Sequence, residues 1–314
     1  MADFRRFEEI RISVPGGRLA ALRWPAERTG APVAVAAHGI TANALAWASL
    51  AEALDGRVTL LAPDLRGRAS SRDIAGPFGI GPDADDVLAV LDHAGAERAV
   101  AVGHSMGGFV ASVAAARHPE RFEALVAVDG GVAFALPATF DPDRLLEEMI
   151  GPAIRKLSMR FADGEAYLDF HRGHPSFVGN WSPQLTAYLA RDTLWLEDGT
   201  VMSSCREEVI RADGRQILLD TEASGAIKTL SMPVSFIYAE RGILNEPRAL
   251  YDEERLAAAG LGHLDLTRTL VPDTNHYTVT GPGRGAAAIA AAILRFAGLD
   301  AERARGAAPL PDPV

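Results

Sequence analysis

Cysteine is almost absent from this chain. The one residue, Cys205, excludes any intramolecular disulfide. No metal-ligand spacing surrounds it, so it reads as inert packing. Long apolar runs are missing too. No stretch reaches the roughly 18 residues that would cross a bilayer as a helix. Arg5 and Arg6 stand near the N-terminus, but no apolar segment follows them as it would in a secretory leader. Positive charge is in short supply: 31 Lys and Arg face 41 Asp and Glu, a net charge of −10. No basic cluster offsets that balance, which argues against nucleic acid or an anionic membrane as partner. A cytoplasmic location follows as the expectation. Internal repeats are absent. His171 and His174 have an i, i+3 spacing but lack a third ligand at suitable distance, so no metal is expected there.

What is present is an ordinary globular composition, 48% hydrophobic and 23% charged over 314 residues. That length suits one large α/β domain with an insertion. Glu9–Val14 and Arg18–Trp24 read as strands joined by a Pro15-Gly16-Gly17 hairpin. Val33–Ala37 and Val58–Ala62 are short apolar runs of the kind buried on both faces of a parallel sheet. Helical patterns at Ala46–Leu54 and Asp83–His93 alternate with them. The strand Phe122–Val128 ends at Asp129-Gly130-Gly131. Strand and helix in alternation predict a parallel sheet covered on both faces. The pattern breaks between about Val132 and Leu230, which is richer in aromatics and in long helical runs such as Asp143–Ser158 and Pro183–Arg191. It resumes with the strand Val234–Tyr238, a helix over Arg248–Ala259, the strand Leu264–Val271 and a last helix, Gly285–Phe296. Arg303–Val314, with three prolines and no period, reads as a loose tail.

The most informative stretch is Gly103-His104-Ser105-Met106-Gly107-Gly108. An apolar strand, Arg98–Val102, leads in and a small-residue helix, Phe109–Arg117, leads out. A serine at a strand-to-helix corner, with glycine two residues to either side, is a nucleophile elbow. The sharp turn pushes the hydroxyl above the sheet, and the helix start aims free N–H groups at whatever carbonyl it meets. The same glycines are no phosphate loop, since no Lys-Ser/Thr follows, and their spacing is wrong for a dinucleotide fingerprint.

From about residue 8 to about 297 the chain resembles the α/β-hydrolase family. The resemblance implies a mostly parallel eight-stranded sheet with helices on both faces, residues 1–131 and 231–302 forming the core. Residues 132–230 would then be a helical cap over the active site. It also implies that Ser105 is the nucleophile and that His276, in Asn275-His276-Tyr277 after the last strand, is its base. The oxyanion donors would be the backbone N–H groups of Ile40, in the His38-Gly39-Ile40 segment, and of Met106. His38 would shape that loop and border the pocket. Asp64-Leu65-Arg66-Gly67 resembles the family's Asp-x-Arg-Gly loop, a structural support at the rim.

The acid departs from the commoner pattern. Many relatives carry Gly-x-x-Asp after the seventh strand, whereas this chain reads Ala239-Glu240-Arg241-Gly242. Asp129, at the end of the sixth strand, is the first choice. Glu240 is the alternative, with Asp273 behind it. In the middle segment Trp181, Tyr188 and Trp195, with Phe170 and Phe177, are candidates to line an apolar substrate pocket. The expectation is a hydrolase of a carboxylic ester or lactone, acting on a small molecule without a cofactor. A serine argues against the epoxide-hydrolase and dehalogenase branches, which use a carboxylate. C–C bond hydrolysis of a ketoacid is the nearest alternative, with Arg155, Lys156, Arg160 or Arg172 to hold the substrate's carboxylate. A cofactor-free haloperoxidase and a non-catalytic receptor stand further off.

Overall fold

The structure, a computed structural model, describes residues 3–134 and 141–299. The tail expected at 303–314 lies outside the described residues. The chain opens with β1 (Glu8–Val14) and β2 (Gly17–Trp24), an antiparallel hairpin in which Val14 faces Gly17. Then come β3 (Val33–Ala37), α1 (Ala48–Leu54), β4 (Thr59–Pro63), α2 (Ile80–His93), β5 (Ala99–His104), α3 (Met106–Arg117) and β6 (Phe122–Val128). After the middle segment the sheet continues with β9 (Val234–Ala239), α9 (Glu253–Ala258), β10 (Leu266–Val271) and α10 (Arg284–Phe296). The eight strands lie in the order β1-β2-β4-β3-β5-β6-β9-β10, parallel from β4 onward. This is the α/β sheet that the alternation predicts.

Strand periodicity divides the core cleanly. Val35, Ala37, Ala101, Leu125, Ala127 and Phe236 pack on one face with α2 and α3. Ala34, Ala36, Val100, Val102, Val126, Val128 and Ile237 pack on the other with α1 and α10. Each central strand is therefore apolar throughout because both of its faces are covered. Helix α3, at the centre, is buried from Met106 to Ala115, which is why it is built from small residues with no polar stripe. Helix α9 begins later than the helical pattern predicts, because the Asp252 side chain accepts from Arg255 N–H and caps it there.

The middle segment holds α4 (Pro142–Leu157), α5 (Gly164–Arg172), α6 (Pro183–Arg191), α7 (Glu207–Leu219) and α8 (Thr221–Gly225). It also holds a two-stranded antiparallel hairpin, β7 (Thr193–Trp195) with β8 (Val201–Ser203). The sequence shows no strand here, because three residues are too few for a period to register. No described helix is long and apolar enough to cross a membrane.

Buried charge fastens this segment to the sheet. Arg191 of α6 donates to both oxygens of the wholly buried Asp64, which also accepts from the N–H groups of Ala44 and Ser70. Arg68, fully buried, pairs with Asp213 of α7 at 2.5 Å. Arg66 forms a two-bond pair with Asp86, at 2.7 and 2.6 Å. The Asp64–Arg68 loop is thus held by a bracket of buried ion pairs, Asp64 and Arg68 to the middle segment and Arg66 to α2. Breaking one by removing a partner would strand a buried charge, a cost of about 3–5 kcal/mol.

Asp83 of α2 sits in this bracket, buried, with neither carboxylate oxygen partnered among the described residues. Burial, followed by the neighbouring Asp213, pushes its pKa well above the ordinary carboxyl value. The native chain therefore keeps a proton that the unfolded chain releases near pH ~4. Stability contributed by that neutral carboxyl is present at low pH and lost as pH climbs toward the folded value. Asp83→Asn should accordingly gain stability on the wild type as pH rises from about 4 to about 8. Urea midpoints across that range check it, and a pH-independent offset between the two proteins would contradict it.

Candidate active site

Ser105 stands between β5 and α3 at φ 55°, ψ −122°, a region that non-glycine residues avoid. Its N–H donates to Val128 O and its own carbonyl accepts from Gly108 N–H, each at 3.0 Å. The elbow glycines are required by close approach. A Cβ on Gly103 would collide with the Gly107 carbonyl, and one on Gly107 with the carbonyl of Ala37.

The loop after β10 returns His276 to this corner, 171 positions along the chain. Its Nε2 lies 3.1 Å from Ser105 Oγ, and its Nδ1 lies 2.7 Å from Asp129 Oδ2. Asp129 is buried at the end of β6 with φ 45°, and Ala239 N–H donates to its other oxygen at 3.2 Å. A carboxylate can only accept, so Nδ1 carries the proton and Nε2 is left to accept from the serine hydroxyl. Glu240 does not enter this arrangement. Its side chain is exposed and accepts from Asp273 N–H at 2.8 Å. Asp273, also exposed, pairs with Arg284.

His104 carries a role that the sequence did not disclose. It turns from Ser105 and donates from Nε2 to the carbonyl of His276 at 2.8 Å, its ring 4.7 Å from the His276 ring. Burial, then His276, holds its pKa well below the ordinary value, so it stays a neutral donor. Asn275 is the second such residue. Its Oδ1 accepts from Tyr277 and Thr278 N–H, and its Nδ2 donates to Ser176 O in the middle segment. The sequence signal was there in Asn275-His276-Tyr277, but the residue types do not say what the asparagine grips.

His38 borders neither of the two cavities at Ser105, contrary to its placement in the pocket. It is fully buried because its ring spans two backbone segments. Leu65 N–H donates to Nε2 at 3.0 Å, so Nδ1 bears the proton and donates to Gly39 O at 2.8 Å. Burial and the charge of Arg68 lower its pKa to about 3. The Gly39 carbonyl and the Ile40 N–H belong to one rigid peptide plane, so His38 aims the Ile40 donor. Arg68 holds the same loop from below, donating to Ile40 O at 3.0 Å and touching Met106 Sδ at 3.5 Å. Among the described residues, the N–H groups of Ile40 and Met106 have no backbone acceptor.

Two cavities meet at Ser105 and His276. One, of about 350 Å³, is walled by Ile40, Leu45, Trp181, Leu185 and Tyr188. The other, of about 530 Å³, is walled by Met106, Phe109, Phe134, Phe170, Ile217 and Tyr251, and shares Tyr188 and Phe177 with the first. Trp181 and Tyr188 thus border the space beside Ser105. Trp195 does not: it is 62% exposed on β7 and walls neither cavity. Its hairpin directs it to solvent beside Gly164.

A mostly parallel sheet with a serine elbow after its central strand and a histidine after its last defines an α/β-hydrolase architecture. The chain belongs to the family described as alpha/beta hydrolase fold, whose model matches residues 32–277. Over 96 residues it is 40% identical to lipase LipV of Mycobacterium tuberculosis, a match covering 31% of this chain and about a third (36%) of that protein. Among solved structures it is similar to E-2-(acetamidomethylene)succinate hydrolase, at TM-score 0.73 and 21% identity over 93% of this chain and 99% of that one. It is also similar to hypothetical protein PA1622 from Pseudomonas aeruginosa PAO1, at TM-score 0.70 and 27% identity over 93% and 98% of the two chains.

The geometry distinguishes the two candidate acids by experiment. Asp129→Asn should slow the labelling of Ser105 by a fluorophosphonate by about 10³-fold or more, since the imidazole loses its orienting acceptor. Glu240→Gln should leave it within about twofold. Intact-mass spectrometry over time reads both, and a reversed order would reassign the acid.

Proposed function

We propose that this α/β hydrolase cleaves a carboxylic ester or lactone through an acyl-enzyme on Ser105, with residues 132–230 acting as a cap. The observation that carries the reading is the continuous relay from Asp129 to His276 to Ser105, at 2.7 and 3.1 Å, opening onto two cavities. His276 Nε2 takes the hydroxyl proton as Ser105 Oγ attacks the carbonyl. The imidazolium that results keeps its Nδ1–H on Asp129, whose charge stabilises it. The tetrahedral oxyanion is met by the N–H groups of Ile40 and Met106, aimed before substrate arrives by His38, Arg68 and the helix start. His276 then protonates the leaving group, accepts a proton from water and directs that water at the acyl carbon. As the Ser105 Oγ–acyl bond breaks and the acid leaves, His276 returns the proton to Oγ. The two cavities suit the two halves of an ester, one on each side of the reacting carbonyl.

Ser105→Ala should abolish turnover of short- and medium-chain p-nitrophenyl esters, and the wild type quenched in acid should carry an acyl group on the Ser105 peptide. Undiminished turnover in the variant would end the proposal. A coloured ring-fission ketoacid, assayed beside the esters, separates ester from C–C bond cleavage. His38→Ala should lower kcat by about 10- to 100-fold with KM little changed, because an oxyanion donor acts on the transition state rather than the bound substrate. Steady-state kinetics checks this, and an effect confined to KM would contradict it.

A further inference from the structure

Among the described residues, the larger cavity is bordered by one lysine or arginine, Lys156, which the reaction above does not use. Among the segment's basic residues, Arg155 is exposed and paired with Glu147, Arg160 is paired with Asp198, and Arg172 with Glu165 and Asp169. Lys156, one residue beyond Arg155 on α4, turns the other way and borders the cavity, with its side chain 19% exposed. Its ammonium forms an ion pair with Asp192 at 3.6 Å, too long for a hydrogen bond. Asp192 is already served by others: Tyr167 OH, the Ser203 and Ser204 hydroxyls and the Cys205 thiol all donate to it. Burial, then Asp192, pushes that thiol up to about 12, so it remains a neutral donor. The three N–H bonds of Lys156 therefore have no acceptor within hydrogen-bond distance among the described residues.

The surroundings of Lys156 favour an anion. His171 and His174 border the same cavity. Burial, then the Lys156 charge, lowers both pKa values, that of His171 to about 4. They are neutral rings near neutral pH. Ser176 N–H donates to His174 Nδ1 at 3.3 Å, which leaves its Nε2–H as a donor. Three carboxylates also touch the cavity: Asp129, buried and committed to His276, and Glu148 and Glu246, both exposed. Glu148 is bonded to Arg144 and Glu246 accepts from Leu244 N–H. Much of the remaining wall is apolar, chiefly Phe109, Phe134, Ile217 and Leu250. An ammonium set among largely apolar walls acts at low effective dielectric and discriminates between charged and neutral ligands.

We infer that this chamber is a carboxylate subsite: the substrate carries a free carboxylate separated by an apolar spacer from the group that Ser105 attacks, and Lys156 with His174 Nε2–H receives it. The inference rests on the reading of Ser105 as nucleophile, and the test keeps the two apart. Mono-p-nitrophenyl adipate and suberate are compared with their ω-methyl esters, which places the charge on the acyl side. 4-Carboxyphenyl acetate is compared with its methyl ester, which places it on the leaving group. In the wild type one series should favour the acid in kcat/KM by about tenfold or more. Lys156→Met should erase that preference and Lys156→Arg retain it, with melting temperatures confirming that each variant folds. Lys156→Gln replaces the methionine variant if that melts early. No preference for the acid in either series, or a preference that survives loss of the lysine, overturns the subsite. If no ester is turned over at all, the hydrolase reading fails. Titration calorimetry of Ser105→Ala with adipate against dimethyl adipate then decides the subsite. Tighter adipate binding, lost on adding Lys156→Met, supports it. Equal or absent binding overturns it.

Discussion

A serine at φ 55° holds its Cβ in a conformation that costs about 1–3 kcal/mol, and a chain adopts it only where its surroundings leave no alternative. Here the Ser105 N–H is tied to β6 through Val128, its carbonyl is tied to Gly108, and the backbone of Gly130 presses against it from the next loop. The strain raises the hydroxyl above the sheet, where His276 meets it. The glycines at 103, 107, 108 and 130 let four backbones converge at one point. The apolar core beneath supplies the stability that sustains the strain, since α3 and the strands around it are buried on every side.

A second constraint runs under the loop that carries Ile40. Arg68 is wholly buried, paired with Asp213 from the inserted segment and bonded to the carbonyl of Ile40. Together with Arg191 on Asp64 it joins the insertion to the sheet by ion pairs largely shielded from water. Buried pairs of this kind contribute little net stability, but removing one partner is expensive. They fix where the insertion sits relative to Ser105. His38 completes the arrangement from the other side as a neutral ring with both nitrogens committed. Pre-set donors need no reorganisation when charge develops, which is the general source of electrostatic stabilisation at such sites.

The elbow was legible in the sequence because its chemistry is local: strand, tight turn and helix stand within about fifteen residues, and the glycines mark the crowding. The sheet was legible for the same reason, since burial on both faces writes itself as unbroken apolar runs. The acid was not settled by reading. Asp129 and Glu240 both follow apolar strands, and only the backbone at φ 45° turns Asp129 toward His276 while Glu240 faces solvent. Trp195 misled for a related reason, because a three-residue strand does not say which side faces inward. Lys156 and Arg155 differ by one residue, about 100° around a helix. That rotation separates a cavity wall from the protein surface, and the neighbouring buried Ile154 and Leu157 mark the inward face only once the helix is seen packed.

The central claim is that Ser105, His276 and the N–H groups of Ile40 and Met106 converge on one reacting carbon. A crystal structure of the phosphonylated protein tests it most directly. The account predicts a phosphorus atom bonded to Ser105 Oγ, with one phosphonyl oxygen within about 2.7–3.1 Å of both backbone nitrogens and His276 Nε2 beside the ester oxygen. An adduct whose oxygen faces away from Ile40 and Met106, or one formed on another residue, would contradict it.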